Sequence, residues 1–377
     1  MPLSSLLVRG PFRGVSGYDH HVRELVRALH RQGVAIELCD LPEWGPDTLP
    51  ASARDPWFDR LNTPVGATVA LHFCMPHQLR PYAGMRNANY TMFEATRIPA
   101  HWVAAGRTHD LVVVPTESSW HAWIDSGVPA DRMRISPLGV DTALFGMHHP
   151  SLAFRDAQGH TLDRYAVRFL NVSELGDRKN LVGLLRSWVR ATTPADSAVL
   201  LIKARAPHPT LLARLHAEAA GLATQLGTGL EGAAPVLFLH DVLSDAEMPR
   251  LYASATDYVS ASHGEGWDQS MMEAAASGLS LLAPDHSAYR AYLDPSMARL
   301  LPSREVPCDL DPTSWANALF GGLRWWHPDE DATVDAIRAA IADPSAYAGA
   351  ARAPILAHWS WDHAAAHLRA VLDTASP

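Results

Sequence analysis

The 377 residues predict an α/β protein made of two doubly wound parallel-sheet domains. Three observations predict it. The length exceeds one ordinary core and suits two domains of roughly 150 to 200 residues. Short apolar runs alternate with amphipathic helical stretches, as parallel strands alternate with crossover helices. That alternation occurs twice, on either side of an irregular stretch at 146–165, GMHHPSLAFRDAQGHTLDRY, read as linker and entry loop. The expected domains are therefore 1–150 and 151–358. Open α/β sheets bind ligands at the carboxyl ends of their strands, so two such domains facing a central cleft place the chemistry there.

In order along the chain, Leu3 to Val8 reads as a strand and GPFRGVSG as a turn. A helix follows with Val22, Leu25, Val26 and Leu29 on one face, Ser16 capping it with Asp19 three residues on, and Gly33 ending it. Further strands are expected at Val34 to Leu38, Thr68 to Phe73, Asn89 to Phe93, Leu111 to Val114 and Arg134 to Ser136. The long Pro-rich segment 42–64 carries Trp44 and Trp57, which either stack on a sugar ring or pin the loop. The second series of strands runs Arg168 to Val172, Val199 to Lys203, Val236 to Leu239, Asp257 to Ser260, Leu279 to Leu282 and Ala298 to Leu301.

A formal charge of −9, with no run of five or six cations, argues against nucleic acid as a partner. A peripheral membrane contact is compatible with the composition. No apolar run approaches the ~18 residues that cross a bilayer, and the opening apolar stretch is too short for a secretory signal. Cys39, Cys74 and Cys308 form no CxxC, so neither a disulfide framework nor a thiolate zinc site is indicated, which fits a soluble protein of the reducing cytoplasm. Of 31 cationic residues only Lys179 and Lys203 are lysine.

The first turn places Gly10, Gly14 and Gly17 before a helix, but not as GxGxxG, and Asp40 is a weak ribose-binding acid; this disfavours a nicotinamide dehydrogenase. Glycines at that spacing let backbone amides approach an anion, or simply make a strand-to-helix turn. In the second half the strand FLNV runs into SELGDRKNLVGLLRSW, where Arg178 and Lys179 precede or open a helix. Cations there oppose the helix dipole, and a diphosphate would remove the conflict. Finally, HGEGWDQSMMEAAASG at 263–278 carries Glu265 between glycines, as a ligand contact would be, and Glu273. Ser270 with Glu273 at N3 reads as a capping box, which by itself accounts for that glutamate, and Gly278 closes the helix.

Glu265 and Glu273 have an E-x7-E spacing, and with YTMFEATRIPAHW, VPTESSW, SPLGVD, the RKN segment and the terminal WSWDHAAAHL the chain resembles the retaining family 4 glycosyltransferases of GT-B fold. The motifs extend over most of the chain. The resemblance implies two Rossmann-like domains, with a last helix at 359–377 crossing back onto the first. It implies that Glu273 binds the ribose hydroxyls of a nucleotide-diphosphate sugar, that Glu265 contacts the donor sugar, and that Arg178 and Lys179 hold the diphosphate. Donor contacts from Gly14, Gly17, Gly266, Trp267, Asp268, Gln269 and Ser270, and base contacts near Val242 and Leu243, follow from the same resemblance. No metal or other cofactor is implied, and no protein nucleophile: in front-face attack a donor phosphate oxygen takes the acceptor's proton. The family's arginine a few residues before the lysine is Ser173 here, so Arg178 carries more of the phosphate charge. Where the family has an acceptor-side histidine this chain has Phe93, leaving Glu94, His72 or His101 as substitutes. Glu94 is expected at the end of an apolar strand, with a salt bridge to Arg97 as its structural alternative. The acceptor is a sugar, a lipid-linked glycan or a small natural product. A nucleotide-sugar epimerase and a binding protein without turnover are the rival functions; a glycoside hydrolase pair of carboxylates has no use for Arg178 and Lys179.

Overall fold

The computed structural model describes residues 3–45, 48–156, 158–206, 209–314 and 316–374. The chain splits into two compact units, Met1–Gly139 with His358–Pro377, and Val140–Ala357. The first runs β1 (Ser5–Arg9), α1 (Gly17–Arg31), β2 (Ala35–Cys39), β3 (Val69–Phe73), β4 (Arg86–Tyr90), α2 (Ala100–Gly106), β5 (Leu111–Val114), α3 (Glu117–Ile124) and β6 (Met133–Ile135). The second opens with α4 (Thr142–Phe145), β7 (Val167–Glu174), α5 (Leu181–Ala191), β8 (Ala198–Arg205), α6 (Pro209–Leu226), β9 (Val236–Leu239) and α7 (Met248–Ala253). It continues with β10 (Asp257–Val259), α8 (Gln269–Ser277), β11 (Ser280–Pro284), β12 (Arg299–Leu301), β13 (Ser303–Pro307), α9 (Asn317–Phe320), β14 (Arg324–Pro328), α10 (Glu330–Ala342) and α11 (Arg352–His358). The last helix, α12 (Trp361–Thr374), belongs to the first unit, where Arg31 pairs with Asp362 at 2.7 Å and Leu3 N donates to Asp373 Oδ1 at 2.7 Å.

Each unit holds one six-stranded parallel sheet, ordered β2-β1-β3-β4-β5-β6 in the first and β12-β11-β10-β7-β8-β9 in the second. Strands β3, β5 and β11 are buried along their whole length, as helices on both faces of a parallel sheet require. In the second unit the chain winds outward through β8 and β9, then returns to the other side of β7 with β10. The order therefore reverses between β7 and β10, the crevice where such sheets take ligands. Among the described residues no helix is long and apolar enough to cross a membrane.

One strand expectation needs correction. Strand β4 lies at Arg86–Tyr90 rather than 89–93, because Asn87 and Asn89 are buried with their amides bonded: Asn89 Nδ2 donates to the carbonyls of His72 (3.1 Å) and Cys74 (3.0 Å). Polar residues inside a sheet hide its apolar pattern. The antiparallel hairpin β13–β14, which pairs SREVP with RWWHP, was not among the expected strands. The stretch at 146–165 is tied to the second unit, with Leu152 N donating to Ser254 Oγ at 2.9 Å; Ala157 lies outside the described residues. In segment 42–64, of which residues 46 and 47 lie outside the described ones, both tryptophans pin the loop. Trp44 donates from Nε1 to Ser16 Oγ (3.1 Å) and packs on Tyr18, and Trp57 packs on His30 and Phe58.

The glycine turn is also resolved. Ser16 caps α1 with Asp19 in a capping box, as its sequence predicts. The buried Asp19 carboxylate takes the amides of Gly14 (2.6 Å) and Ser16 (3.2 Å), so an internal anion fills the place read as available to a phosphate. Gly17 opens α1 with empty space around it, whereas a Cβ on Gly10 would lie 2.8 Å from Phe73 Cβ. Gly10 is thus a packing glycine. Gly10→Ala is expected to lower stability by about 1–3 kcal/mol through overpacking. Gly17→Ala is expected to raise it by roughly 0.5–1 kcal/mol through helix propensity; thermal midpoints of the two variants against wild type check both signs.

Candidate functional site

The site is built on the two loops that leave β7 and β10. After β7 the backbone turns through a short 3-10 segment, Asp177–Lys179, and Asn180 at φ 50° leads into α5. Asparagine tolerates that left-handed conformation. After β10 the loop 260–268 ends at Asp268, also left-handed at φ 61°. The loops are stitched together through Arg178 O, which accepts from His263 N (2.8 Å) and Ser262 Oγ (3.2 Å), and through Asn180 Nδ2, which donates to Ala261 O (3.0 Å).

This stitching brings both cations to one carboxylate. Arg178 Nη1 lies 2.8 Å from Glu265 Oε2 and donates to Gly264 O at 2.6 Å; Lys179 Nζ donates to Glu265 Oε1 at 2.6 Å. Burial of Glu265 would raise its pKa, but the charges of Arg178 and Lys179 win and hold it down to about 2. Glu265 was read as a glycine-flanked carboxylate that contacts a ligand; the structure makes it the buried counter-ion of Arg178 and Lys179. Among the described residues Lys179 Nζ has no other acceptor, which leaves two of its three N–H donors available.

Glu273 was read as the N3 acid of a capping box with Ser270, and this is corrected. The N-cap of α8 is Asp268, whose Oδ1 accepts from Met271 N at 3.3 Å, so the helix starts two residues earlier than predicted and Glu273 lies in its second turn. Gly278 closes the helix at φ 88°, as expected. Capping therefore does not account for Glu273, which is buried and accepts a hydrogen bond from Tyr252 Oη at 2.8 Å. Burial pushes its pKa up to about 8. Burial, then the charge of Glu265, pushes Asp268 up to about 6 while Tyr289 Oη donates to its Oδ2 at 2.7 Å.

Sequence reasoning missed the residues that hold Glu265 in place. Glu265 N donates to Ser287 Oγ (3.2 Å), the Ser287 hydroxyl lies 2.9 Å from His286 Nδ1, and His286 Nε2 lies 2.9 Å from Ser262 O. A carbonyl only accepts, so Nε2 carries the proton and Nδ1 accepts from the serine. Burial, pushing His286 down to about 3, keeps it neutral for that role. Ser287 holds φ 44°, a strained value for a serine. The hairpin braces the same loop: Trp326 N donates to His263 O at 2.9 Å, and the His263 ring stacks on Trp325 at 4.7 Å. None of these residues forms a local motif.

The other candidates separate. Gly266 and Trp267 are buried in the Glu265 loop, with Trp267 packed on Tyr292; Gln269 and Ser270 start α8 half-buried. Val242 and Leu243 lie beyond β9, Val242 being 59% exposed. In the first unit His72 is a core residue of β3, its Nε2 3.0 Å from Asn87 Oδ1 and its pKa pushed down to about 4 by burial; it is no exposed acceptor-side group. His101 is exposed on α2. Glu94 lies four residues beyond the end of β4 rather than at a strand end, and Arg97 pairs with Asp125 at 3.2 Å. Ser173 Oγ donates to Asn171 Oδ1 at 2.9 Å.

No model of a known protein family matches this chain, and no curated protein matches it in sequence. Solved structures do match, over nearly its whole length. HepE of Anabaena, in complex with UDP and glucose, is 13% identical over 98% of this chain and 100% of its own, at a TM-score of 0.65. The sucrose-phosphate synthase of Thermosynechococcus elongatus is 17% identical over 99% and 100%, at 0.68. An α,α-trehalose 6-phosphate synthase from Burkholderia multivorans is 14% identical over 99% and 100%, at 0.63. These are GT-B proteins, and the likeness shows the same fold here: two Rossmann-like α/β units, each with a six-stranded parallel sheet.

The protonation of Glu273 has a measurable sign. Its carboxyl titrates near 4.5 in the unfolded chain and near 8 when folded, so folding takes up a proton between those values. Its contribution to stability is therefore greatest below about pH 4.5 and declines as pH rises to about 8. Thermal midpoints of Glu273→Gln should fall less between pH 5 and 8 than those of wild type; parallel curves would mean that Glu273 is ionised in the fold.

Proposed function

We propose that this chain is a retaining glycosyltransferase that moves a sugar from a nucleotide-diphosphate donor to an acceptor hydroxyl without a metal ion. The observation that carries the proposal is the convergence of Arg178 and Lys179 on Glu265 at the β7/β10 switch point, with a second buried glutamate, Glu273, on the helix that follows. The GT-B fold supports it. HepE was solved with UDP and with UDP-glucose, and a trehalose-phosphate synthase of Burkholderia xenovorans with glucose-6-phosphate, so a UDP-sugar and a sugar acceptor are the first pair to test.

Each residue has a role on this reading. The diphosphate takes the spare donors of Lys179 and the guanidinium of Arg178, which stabilise the negative charge that grows on the phosphate as the glycosidic bond breaks. As the diphosphate supplies counter-charge, Glu265 is released to accept hydroxyl donors from the donor sugar. Glu273, protonated in the free chain, meets the ribose hydroxyls without adding a second negative charge near the phosphates. Gly266, Gln269 and Ser270 line the sugar and phosphate, and the backbone at Val242 and Leu243 meets the base. The acceptor oxygen attacks the anomeric carbon from the face the nucleotide leaves, and its proton passes to a donor phosphate oxygen. Glu94 and His101 remain the acceptor-side candidates of the first unit. The three cysteines are unpaired, in keeping with action in the cytoplasm.

Incubation with a panel of nucleotide sugars and sugar acceptors tests the proposal, reading transfer and slow donor hydrolysis. Lys179→Ala is expected to lower the rate on the order of 10²–10³-fold, as loss of one preorganised charge partner does. Full activity in that variant would remove the diphosphate assignment, an epimerised donor would replace transferase with isomerase, and binding without turnover would leave a donor-binding protein.

A further inference from the structure

Lys179 is accounted for, and Lys203, the only other lysine, is not. It lies near the carboxyl end of β8, one strand from the candidate site, opposite Val172 of β7 and Leu239 of β9. Its strand neighbours Leu200, Ile202 and Ala204 pack with Leu184 and Trp188 of α5, so by alternation Lys203 leaves the sheet on the other face. It is only 9% exposed. Among the described residues its Nζ has no hydrogen-bond acceptor and no carboxylate at salt-bridge distance. The charges that act on it are Arg205, itself bound to Glu174, and Asp241. Burial of its stem disfavours the charged form and lowers its pKa, while the Nζ tip, still reached by water, is open to an acceptor from a ligand.

The surroundings indicate what partner is missing. Beyond β9, His240 Nδ1 donates to Ala204 O (3.1 Å), fixing the start of the next loop against the residue after Lys203. That loop reaches from Lys203, which feels Asp241, to Glu273, which feels Asp245. Diphosphate at Arg178 and Lys179 and ribose at Glu273 leave the nucleobase for the β8–β9 side of the site. An ammonium offers three donors and no acceptor, so it is satisfied only by an oxygen or nitrogen lone pair.

Resting on the glycosyltransferase reading above, we propose that Lys203 reads the nucleobase of the donor, hydrogen-bonding a keto oxygen and so selecting a uracil, thymine or guanine nucleotide over an adenine one. Where uracil and thymine present O4 and guanine O6, adenine presents its exocyclic amino group, a donor that would face the ammonium without a lone pair.

Calorimetric titration of the full chain with UDP, GDP, ADP and inorganic pyrophosphate tests this, alongside thermal midpoints without ligand. Wild type is expected to bind UDP or GDP more tightly than ADP. Lys203→Met should weaken the preferred nucleotide about tenfold or more, the scale of a lost charge-assisted hydrogen bond, leave ADP and pyrophosphate within about twofold, and keep or raise the ligand-free midpoint. Lys203→Gln, which retains an N–H donor, should recover part of the loss, and it replaces the methionine variant if that fails to fold. An equal loss for pyrophosphate, an ADP preference in wild type, or unchanged nucleotide affinity overturns the assignment. A wild-type chain that binds no nucleotide or nucleotide sugar removes the glycosyltransferase reading itself, whereas nucleotide binding unmoved by Lys203→Met removes only this one.

Discussion

The second unit is organised around one buried carboxylate that must not be left alone. An ionised glutamate out of water is strongly unfavourable unless it is paired and hydrogen-bonded. Glu265 is paired twice, by Arg178 and Lys179. To bring those partners together, the loops after β7 and β10 are tied backbone to backbone through Arg178, Asn180, Ala261, Ser262 and His263. Those ties exist because β7 and β10 are neighbours where the strand order reverses. The cations are thereby fixed in position by the fold itself.

Two buried glutamates of the second unit have been pushed in opposite directions. Glu265, beside two cations, stays ionised; Glu273, which accepts from the phenol of Tyr252, is raised by burial until it holds its proton at neutral pH. Asp268 lies between these extremes, caps α8 and bonds Tyr289. Glu265 thus keeps its charge where cations answer it, and Glu273, without one, gives its charge up. Around it, a neutral histidine and a strained serine hold the backbone of Glu265, and a hairpin of stacked aromatic rings braces the loop. The first unit shows the contrasting use of a strand-to-helix turn, where Asp19 satisfies the amides from within.

Much of the fold was legible in the chain. The apolar strands announced themselves, and α1 with its Ser16 cap and Gly33 stop was readable to within a residue or two, because those signals are local. Strand β4 was displaced because the polar residues Asn87 and Asn89 lie buried inside the sheet, where Asn89 Nδ2 donates to His72 O, and the hairpin β13–β14 carries no expectation from the sequence. The start of α8 was misplaced for a subtler reason: Asp268 caps it from a left-handed conformation that no residue pattern encodes.

The sequence by itself determined the alternation that builds two parallel sheets, and it identified Arg178, Lys179, Glu265 and Glu273 as charges with work to do. Only the tertiary structure decided that Glu265 is the partner of both cations, that Glu273 keeps its proton, that Lys203 Nζ has no acidic partner among the described residues, and that His286 and Ser287 hold the Glu265 loop. Pairing and protonation depend on distance and on exclusion of water. Both are properties of space around a residue, supplied by segments more than eighty positions apart in the case of Lys179 and Glu265.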